Sequence, residues 1–256
     1  MKNIGIFFKP DLENIAFIFA KQLEEKNVKI KFFSSNVLDI NHKTDLTLII
    51  GGDGTVLKAA KYVLSPIIGF KGGRLGFLSS YTIEEFDKFL KDFETYQFRE
   101  DKRQFFEVRE IDALFLNDVV ALKEPSQKMV DVKINFGDGN FVFHADGLVI
   151  STPTGSTAYS LALGGPILLP NVDAYVITPI APQFLASRSV ILPDHEELSV
   201  LTSYETHLIL DGVEYGKFKK FSVKKSEKCI TILRPLDYDF SKSIKEKLGY
   251  GKNYFK

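Results

Sequence analysis

Residues 46–58 read LTLIIGGDGTVLK. The apolar run Leu46–Ile50 has the length and composition of a buried strand. It stops at Gly51-Gly52-Asp53-Gly54-Thr55, and a helical pattern opens at Val56. Strand, glycine turn and helix in that order is how α/β proteins build a phosphate site. Glycines let the backbone approach the ligand, and free N–H groups at the helix start point at it. Asp53 is the unusual member, because a carboxylate among N–H groups meant for an anion repels that anion. It suits a general base for an attacking hydroxyl, or a holder of a metal that bridges phosphates. The plainer alternative is a tight turn whose Asp caps the helix. The spacing is neither the Walker P-loop nor GxGxxG. Gly52, Gly54 and Thr55 join Asp53 as candidate phosphate-side residues. Lys58, one turn on, either reaches back to a phosphate or is simply solvated.

Outward from this stretch, strand and helix patterns alternate. Residues 3–8 read as a strand, and Asp11 to about Lys26 as a helix with Ile15, Ile18, Phe19 and Leu23 at helical spacing. Strands over 28–33 and 66–70 and a helix over 56–64 complete the pattern, which predicts a Rossmann-like parallel sheet covered on both faces. A second glycine cluster, Gly72-Gly73-Arg74-Leu75-Gly76, also follows a strand. Loops after parallel strands gather at one edge, so both clusters are expected at one crevice. Thr82–Tyr96 is an amphipathic helix opened by a Thr82/Glu85 capping box. Near residue 99 the period changes to two, and strands follow over 105–108, 113–122, 130–136, 141–145, 147–151, 174–179, 198–203, 206–210, 219–224 and 230–232. Gly137-Asp138-Gly139-Asn140 and Asp211-Gly212 mark tight turns. A short helix is expected over 158–163 and another over 241–248. The reading is an α/β domain over 1–98, joined by the tail 234–256, and an all-β, sandwich-like domain over 99–233.

The chain has 256 residues, 45% hydrophobic and 26% charged, with no net charge. That balance carries no bulk pull toward nucleic acid or an anionic membrane, and no apolar run is long enough to span a bilayer. The start, MKNIGIFFKP, lacks a signal-peptide pattern. Cys229 is the only cysteine, which excludes an internal disulfide and Cys-based zinc sites and fits a cytoplasmic protein. It is expected to be a small buried residue. His42, His144, His195 and His207 show no metal-ligand spacing, so no metal ligand is assigned. The basic run Lys217–Lys228 reads as a solvated strand face.

The second half holds its own unusual stretch, STPTGSTAYSLALGGP at 151–166. Hydroxyls and glycine N–H groups at a helix start make a cradle for phosphate or ribose oxygens, and Tyr159 suits stacking on a planar ring. The alternative is a polar loop with a Ser/Thr cap. Asn117-Asp118 interrupts the apolar run 114–122, where polar groups are costly without partners. A carboxylate suits vicinal sugar hydroxyls and an amide suits an adenine edge, while a bulge with local hydrogen bonds is the other reading. His144 and Asp146 stand just before the Ser/Thr stretch, and Lys128 follows Asn117-Asp118 as a weaker candidate.

Taken together, GGDGT at 51–55, the run Gly72 to Leu78, Asn117-Asp118, His144-Ala145-Asp146-Gly147 and the Ser/Thr stretch resemble the NAD kinase family in identity and order. GGDGT is shared with lipid kinases and phosphofructokinases; the Ser/Thr-Gly stretch is far more specific. The resemblance implies an N-terminal α/β domain, a β-rich C-terminal domain and an active site between them. It implies transfer of the γ-phosphate of ATP, or of polyphosphate, to the 2′-hydroxyl of the adenosine ribose of NAD, with Mg²⁺ or another divalent metal. Carried over by position, Asp53 would be the general base. Asn117 and Asp118 would contact adenosine, and His144 and Asp146 would lie toward nicotinamide. Thr157, Ala158, Tyr159, Ser160, Leu161 and Ala162 would hold adenine and ribose, and Ala181 would line the same pocket. A dimer or tetramer sharing site residues between subunits is also implied. Two positions depart from the family's pattern: Asp118 replaces a usual Glu, and Val213 stands where many members carry Gln after Asp-Gly. Two rivals remain at this level, a diacylglycerol-type lipid kinase and a non-catalytic NAD-binding regulator.

Overall fold

A computed structural model describes residues 2–40 and 43–249, and the chain forms two compact units, 1–102 with 230–256 and 103–229. His42 lies outside the described residues.

In the first unit, β1 (Asn3–Phe8), β2 (Lys29–Ser34), β3 (Leu46–Ile50) and β4 (Ile67–Lys71) lie parallel in the order β2-β1-β3-β4. All five residues of β3 are buried, which is why the run Leu46–Ile50 is apolar without alternation. Helix α1 (Glu13–Glu25) turns Ala16, Phe19 and Leu23 inward against this sheet. Helix α3 (Phe86–Thr95) adds Phe86, Phe89 and Leu90 to the same core, and the Phe19 and Phe86 rings stack at 3.6 Å. Glu85 accepts the Thr82 N–H at 2.8 Å, completing the capping box.

Helix α2 spans Asp53–Ala60, three residues earlier than its apolar pattern suggested at the start and four shorter at the end. Gly52 takes the N-cap position in an extended conformation, so Asp53 is the first helical residue. Downstream, Pro66 disfavours helical geometry in the residue before it. A two-residue strand, β5 (Tyr81–Thr82), pairs with β4 and was not anticipated. The last helix among the described residues, Phe240–Leu248, belongs to this unit and is capped by the Asp239 carboxylate, which accepts the Ser241 N–H at 2.8 Å.

The long strand β6 (Phe98–Val108) runs from the first unit into the second. There follow β7 (Ala113–Phe115), β8 (Asp118–Leu122), β9 (Val130–Phe136), β10 (Gly139–Ala145), β11 (Gly147–Ser151), α4 (Tyr159–Ala162), β12 (Ala174–Ile180), β13 (Val190–Pro193), β14 (Leu198–Leu210) and β15 (Val213–Pro235). The helix over Phe240–Leu248 is α5. Strands β13-β12-β11-β8-β14 form an antiparallel succession. The first half of β14 pairs with β9 and its second half with β8, so one strand serves two ladders. Between them lies a core that includes Phe106, Phe115, Val132, Ile150, Tyr175, Leu208 and Phe221.

Several expectations are corrected here. The strands expected over 198–203 and 206–210 are one strand with an irregularity between Leu201 and Thr206. Those over 219–224 and 230–232 are likewise parts of β15, whose end joins the first unit by pairing Ile232 with Ile67. The run 113–122 is interrupted at Leu116-Asn117, and β13 had no advance signal. Cys229 is exposed rather than buried, because alternation along β15 turns Ile230 inward and its neighbour outward.

Candidate active site

Asp53 opens α2, but it is not the helix cap. Its Oδ2 accepts the Phe77 N–H at 2.9 Å, and its Oδ1 accepts the Leu78 N–H at 3.2 Å and the Ser79 hydroxyl at 3.4 Å. These donors follow the second glycine cluster, so the two glycine stretches meet at this carboxylate. An acid in the first helical turn is also favoured by the helix dipole. Gly54 is exposed and Gly52 and Thr55 are half-buried around it, whereas Lys58 stands exposed toward the end of α2.

The carbonyl side of the same turn is held by Arg234, which is fully buried. Its Nη2 donates to the Phe77 carbonyl at 2.7 Å and its Nη1 to the Ser79 carbonyl at 2.5 Å. Nε pairs with Asp101 at 2.9 Å, and the guanidinium lies 4.3 Å from the centre of the Tyr238 ring. From α5, Lys247 places Nζ 3.6 Å from Asp53 Oδ2 and 3.7 Å from the centre of the Phe77 ring. Burial pushes the Lys247 ammonium below its ordinary pKa, with the Asp53 charge opposing that shift. Sequence reading missed both cations. Arg234 had a signal: a lone arginine at the end of the strand run CITILRP is costly to bury unless partnered.

In the second unit, the Ser/Thr stretch is knitted to Asn117-Asp118. The Thr152 hydroxyl donates to the Leu116 carbonyl at 2.6 Å, and the Thr152 N–H to the Asn117 carbonyl at 2.9 Å. The Ser156 hydroxyl donates to the Pro153 carbonyl at 2.7 Å and accepts the Leu168 N–H at 3.0 Å. The Ser160 and Thr178 hydroxyls share a hydrogen bond of 2.9 Å. Ser151, Thr152, Ser156 and Ser160 are fully buried, so these hydroxyls tie the turn to the sheet instead of lining an open cradle. Thr157, Ala158 and Leu161 are half-buried, while Tyr159 and Ala162 are exposed.

Asp211, a turn residue by its sequence pattern, organises the Asn117-Asp118 backbone. Its carboxylate accepts the N–H groups of Leu116 at 3.0 Å, Asn117 at 2.8 Å and Asp118 at 3.4 Å. Asp211 and Gly212 both have positive φ, 49° and 81°, as a two-residue hairpin turn of the primed type requires. Asp118 is 7% exposed. Burial first, and the Asp211 charge second, push its carboxyl up to about 7, against a hydrogen bond from the Tyr159 backbone.

His144, Asp146 and Ala181 form a separate group. The Asp146 N–H donates to the Ile180 carbonyl and the Gln183 N–H to the His144 carbonyl, both at 2.9 Å. Asp146 lies 3.6 Å from Lys123 Nζ, and the exposed His144 ring bonds Asp131 at 2.7 Å. Ala181 holds a positive φ of 44°. Within one chain this group adjoins the Gly147 end of β11, whereas Asp118 pairs with Ser151 at the other end, roughly 13 Å along the strand. Lys128 is exposed on the connection between β8 and β9.

Residues 5–98 match the ATP-NAD kinase N-terminal domain and residues 116–232 the ATP-NAD kinase C-terminal domain. An NAD kinase of Thermosipho melanesiensis is 57% identical over 254 residues, covering 99% of this chain and 100% of that protein. The NAD kinase of Thermotoga maritima is 42% identical, covering 97% and 98%. A crystal structure of yeast NADH kinase complexed with NADH shares the fold at a TM-score of 0.86 and 24% identity, over 99% of this chain and 89% of that one. An NAD kinase from Archaeoglobus fulgidus in complex with ATP shares it at 0.78 and 21%, over 96% and 97%. The chain belongs to the NAD kinase family.

Proposed function

We propose that the protein phosphorylates NAD at the 2′-hydroxyl of its adenosine ribose, taking the γ-phosphoryl group of ATP or a phosphoryl group of polyphosphate, and that Asp53 is the general base. The observation that carries the assignment of the base is the carboxylate held by two backbone N–H groups at the head of α2. A ribose hydroxyl is a poor nucleophile at neutral pH. Transfer of its proton to Asp53, as the new P–O bond forms and the bond from the γ-phosphorus to the departing ADP breaks, would contribute roughly 10²–10⁴ in rate, and positioning and charge stabilisation would supply most of the rest.

Asn117, Asp118 and the turn Thr157–Ala162 are proposed to hold the adenosine. Tyr159, with part of its ring exposed, would stack on adenine, and Asp118 would bond the ribose. Among the described residues, no group of three or more His, Cys, Asp and Glu side chains gathers as a metal cage. Mg²⁺, held largely through phosphates and water, is proposed to neutralise phosphate charge when bound. The distance between the Asp118 and Asp146 ends of β11 supports a homo-oligomer in which a neighbouring copy supplies His144, Asp146 and Ala181. Among the described residues, no helix is long and apolar enough to cross a membrane. We place the reaction in the cytoplasm on the strength of the lone cysteine.

The test is NADP formation by Asp53→Asn with ATP and with polyphosphate, each with and without Mg²⁺. NAD binding should persist while kcat falls by roughly 10²–10⁴. Near-normal turnover by the variant would remove Asp53 from the base role.

A further inference from the structure

The acid at the heart of the glycine turn poses an electrostatic problem: a carboxylate opposes the phosphates that the turn is built to receive. The nearby α5 carries a cation that answers it. Lys247 Nζ lies 3.6 Å from Asp53 Oδ2, with its side chain 19% exposed and its ammonium over the Phe77 ring at 3.7 Å. The start of the same helix contacts the same ring, through Phe240 at 5.7 Å between centroids. The residue whose N–H orients Asp53 is therefore also the one on which α5 docks. Among the described residues, the other charges that bear most on Lys247 are Lys71 and Arg234, both cations that disfavour a further positive charge, and Asp53 is the attractive partner.

We propose that Lys247 is a positioning residue and charge partner of Asp53, which offsets the carboxylate's repulsion of the phosphoryl donor and lets an acid work inside a phosphate site. The proposal rests on the assignment of Asp53 to the reaction. A cation fixed beside the acid lowers the local negative potential where a polyanion must approach, and its attraction acts over a few ångströms in a partly desolvated site. NAD binding, assigned to residues of the second unit, does not depend on it. Loss of this charge should therefore be felt by the donor rather than by NAD.

The experiment uses the full-length protein with Lys247→Met, Lys247→Gln and Lys247→Arg, alone and in the Asp53→Asn background. Steady-state NADP formation and the Kd of a non-hydrolysable ATP analogue are measured. Removing the charge should raise the KM and Kd for the donor about tenfold, with the KM for NAD within about twofold, and Arg should restore most of the loss. With Asp53→Asn the repelling charge is gone as well, so the double variant Asp53→Asn with Lys247→Met should bind the analogue with a Kd within about twofold of the parent's. Equal losses in the Met, Gln and Arg variants, a double variant that binds the analogue as weakly as Lys247→Met alone, or no effect at all would each overturn the proposal. Near-normal turnover by Asp53→Asn alone would instead reject the base assignment. The two failures are thus read from different measurements.

Discussion

A Cβ built on Gly76 would stand 1.8 Å from Oδ1 of Asp53. The backbone of Gly76 lies outside the left-handed region, so the glycine is needed for room rather than for torsion. The second glycine cluster is thus shaped by the acid of the first. Gly76→Ala is compatible with the local backbone but must push the carboxylate off the Phe77 and Leu78 N–H groups. Displacement of a reacting group by about 1 Å costs on the order of 10² in rate. The expected result is a kcat loss of that size with little change in NAD affinity, and little further loss when Gly76→Ala is combined with Asp53→Asn. Full activity in the single variant would show that the carboxylate is not held where the turn places it.

Arg234 secures the other side of that turn, and its fork geometry is what matters. Lysine keeps the charge but cannot donate at once to Asp101 and to the carbonyls of Phe77 and Ser79 in this planar arrangement. Arg234→Lys should destabilise the protein by about 3 kcal/mol, since buried acceptors and the Asp101 carboxylate lose charged hydrogen bonds. For a chain of this size that corresponds to a fall in Tm of roughly 6–12 °C. A melting curve within about 2 °C of the parent would refute the bracing role.

Asp118 predicts a pH dependence of stability. Its carboxyl is pushed up to about 7 from an ordinary 3.8, mainly by burial. The folded chain therefore keeps a proton that the unfolded chain releases. Relative stability from this group is fully present below the ordinary value and is lost as pH rises to about 7, then stays level. The whole loss is on the order of 4 kcal/mol. Asp118→Asn should flatten the decline of Tm between pH 4 and pH 8. Asp211→Asn, which removes the like charge while tolerating positive φ at that position, should bring the Asp118 titration down as followed by its carboxyl NMR signal. An Asp118 titration that does not move would exclude Asp211 as a cause.

The features legible in the sequence were those with a local cause. The fully apolar run Leu46–Ile50 announced a strand buried on both faces, and Thr82 with Glu85 announced a capped helix. GGDGT, Asn117-Asp118 and the Ser/Thr stretch announced polar chemistry at the ends of strands. The positions that escaped depend on partners distant along the chain. Asp211 acts across more than ninety residues on the N–H groups of Leu116 and Asn117, and Arg234 and Lys247 act on a turn near residue 77. Their charge was visible, but the chain contacts that give it work were not. In the Ser/Thr stretch, the buried Thr152 and Ser156 hydroxyls satisfy backbone groups of the turn, a role that depends on carbonyls the sequence pattern does not reveal.

That buried turn makes a sharp prediction at Gly155. A Cβ there would lie 2.0 Å from the Asn117 carbonyl oxygen, and its three nearest atoms are all backbone. No side chain can swing aside, so Gly155→Ala must separate the turn from Asn117 or distort β8. The Thr152 N–H bond to the Asn117 carbonyl and the Tyr159 backbone bond to Asp118 would both be disturbed. Overpacking of this kind costs about 3 kcal/mol. If the turn and Asn117-Asp118 together hold adenosine, the Kd for NAD should rise at least about tenfold, 1.4 kcal/mol, while binding of the ATP analogue changes little. Isothermal titration with each nucleotide separates the outcomes. Loss of stability with unchanged NAD affinity would mean that the junction supports the fold without shaping the adenosine site.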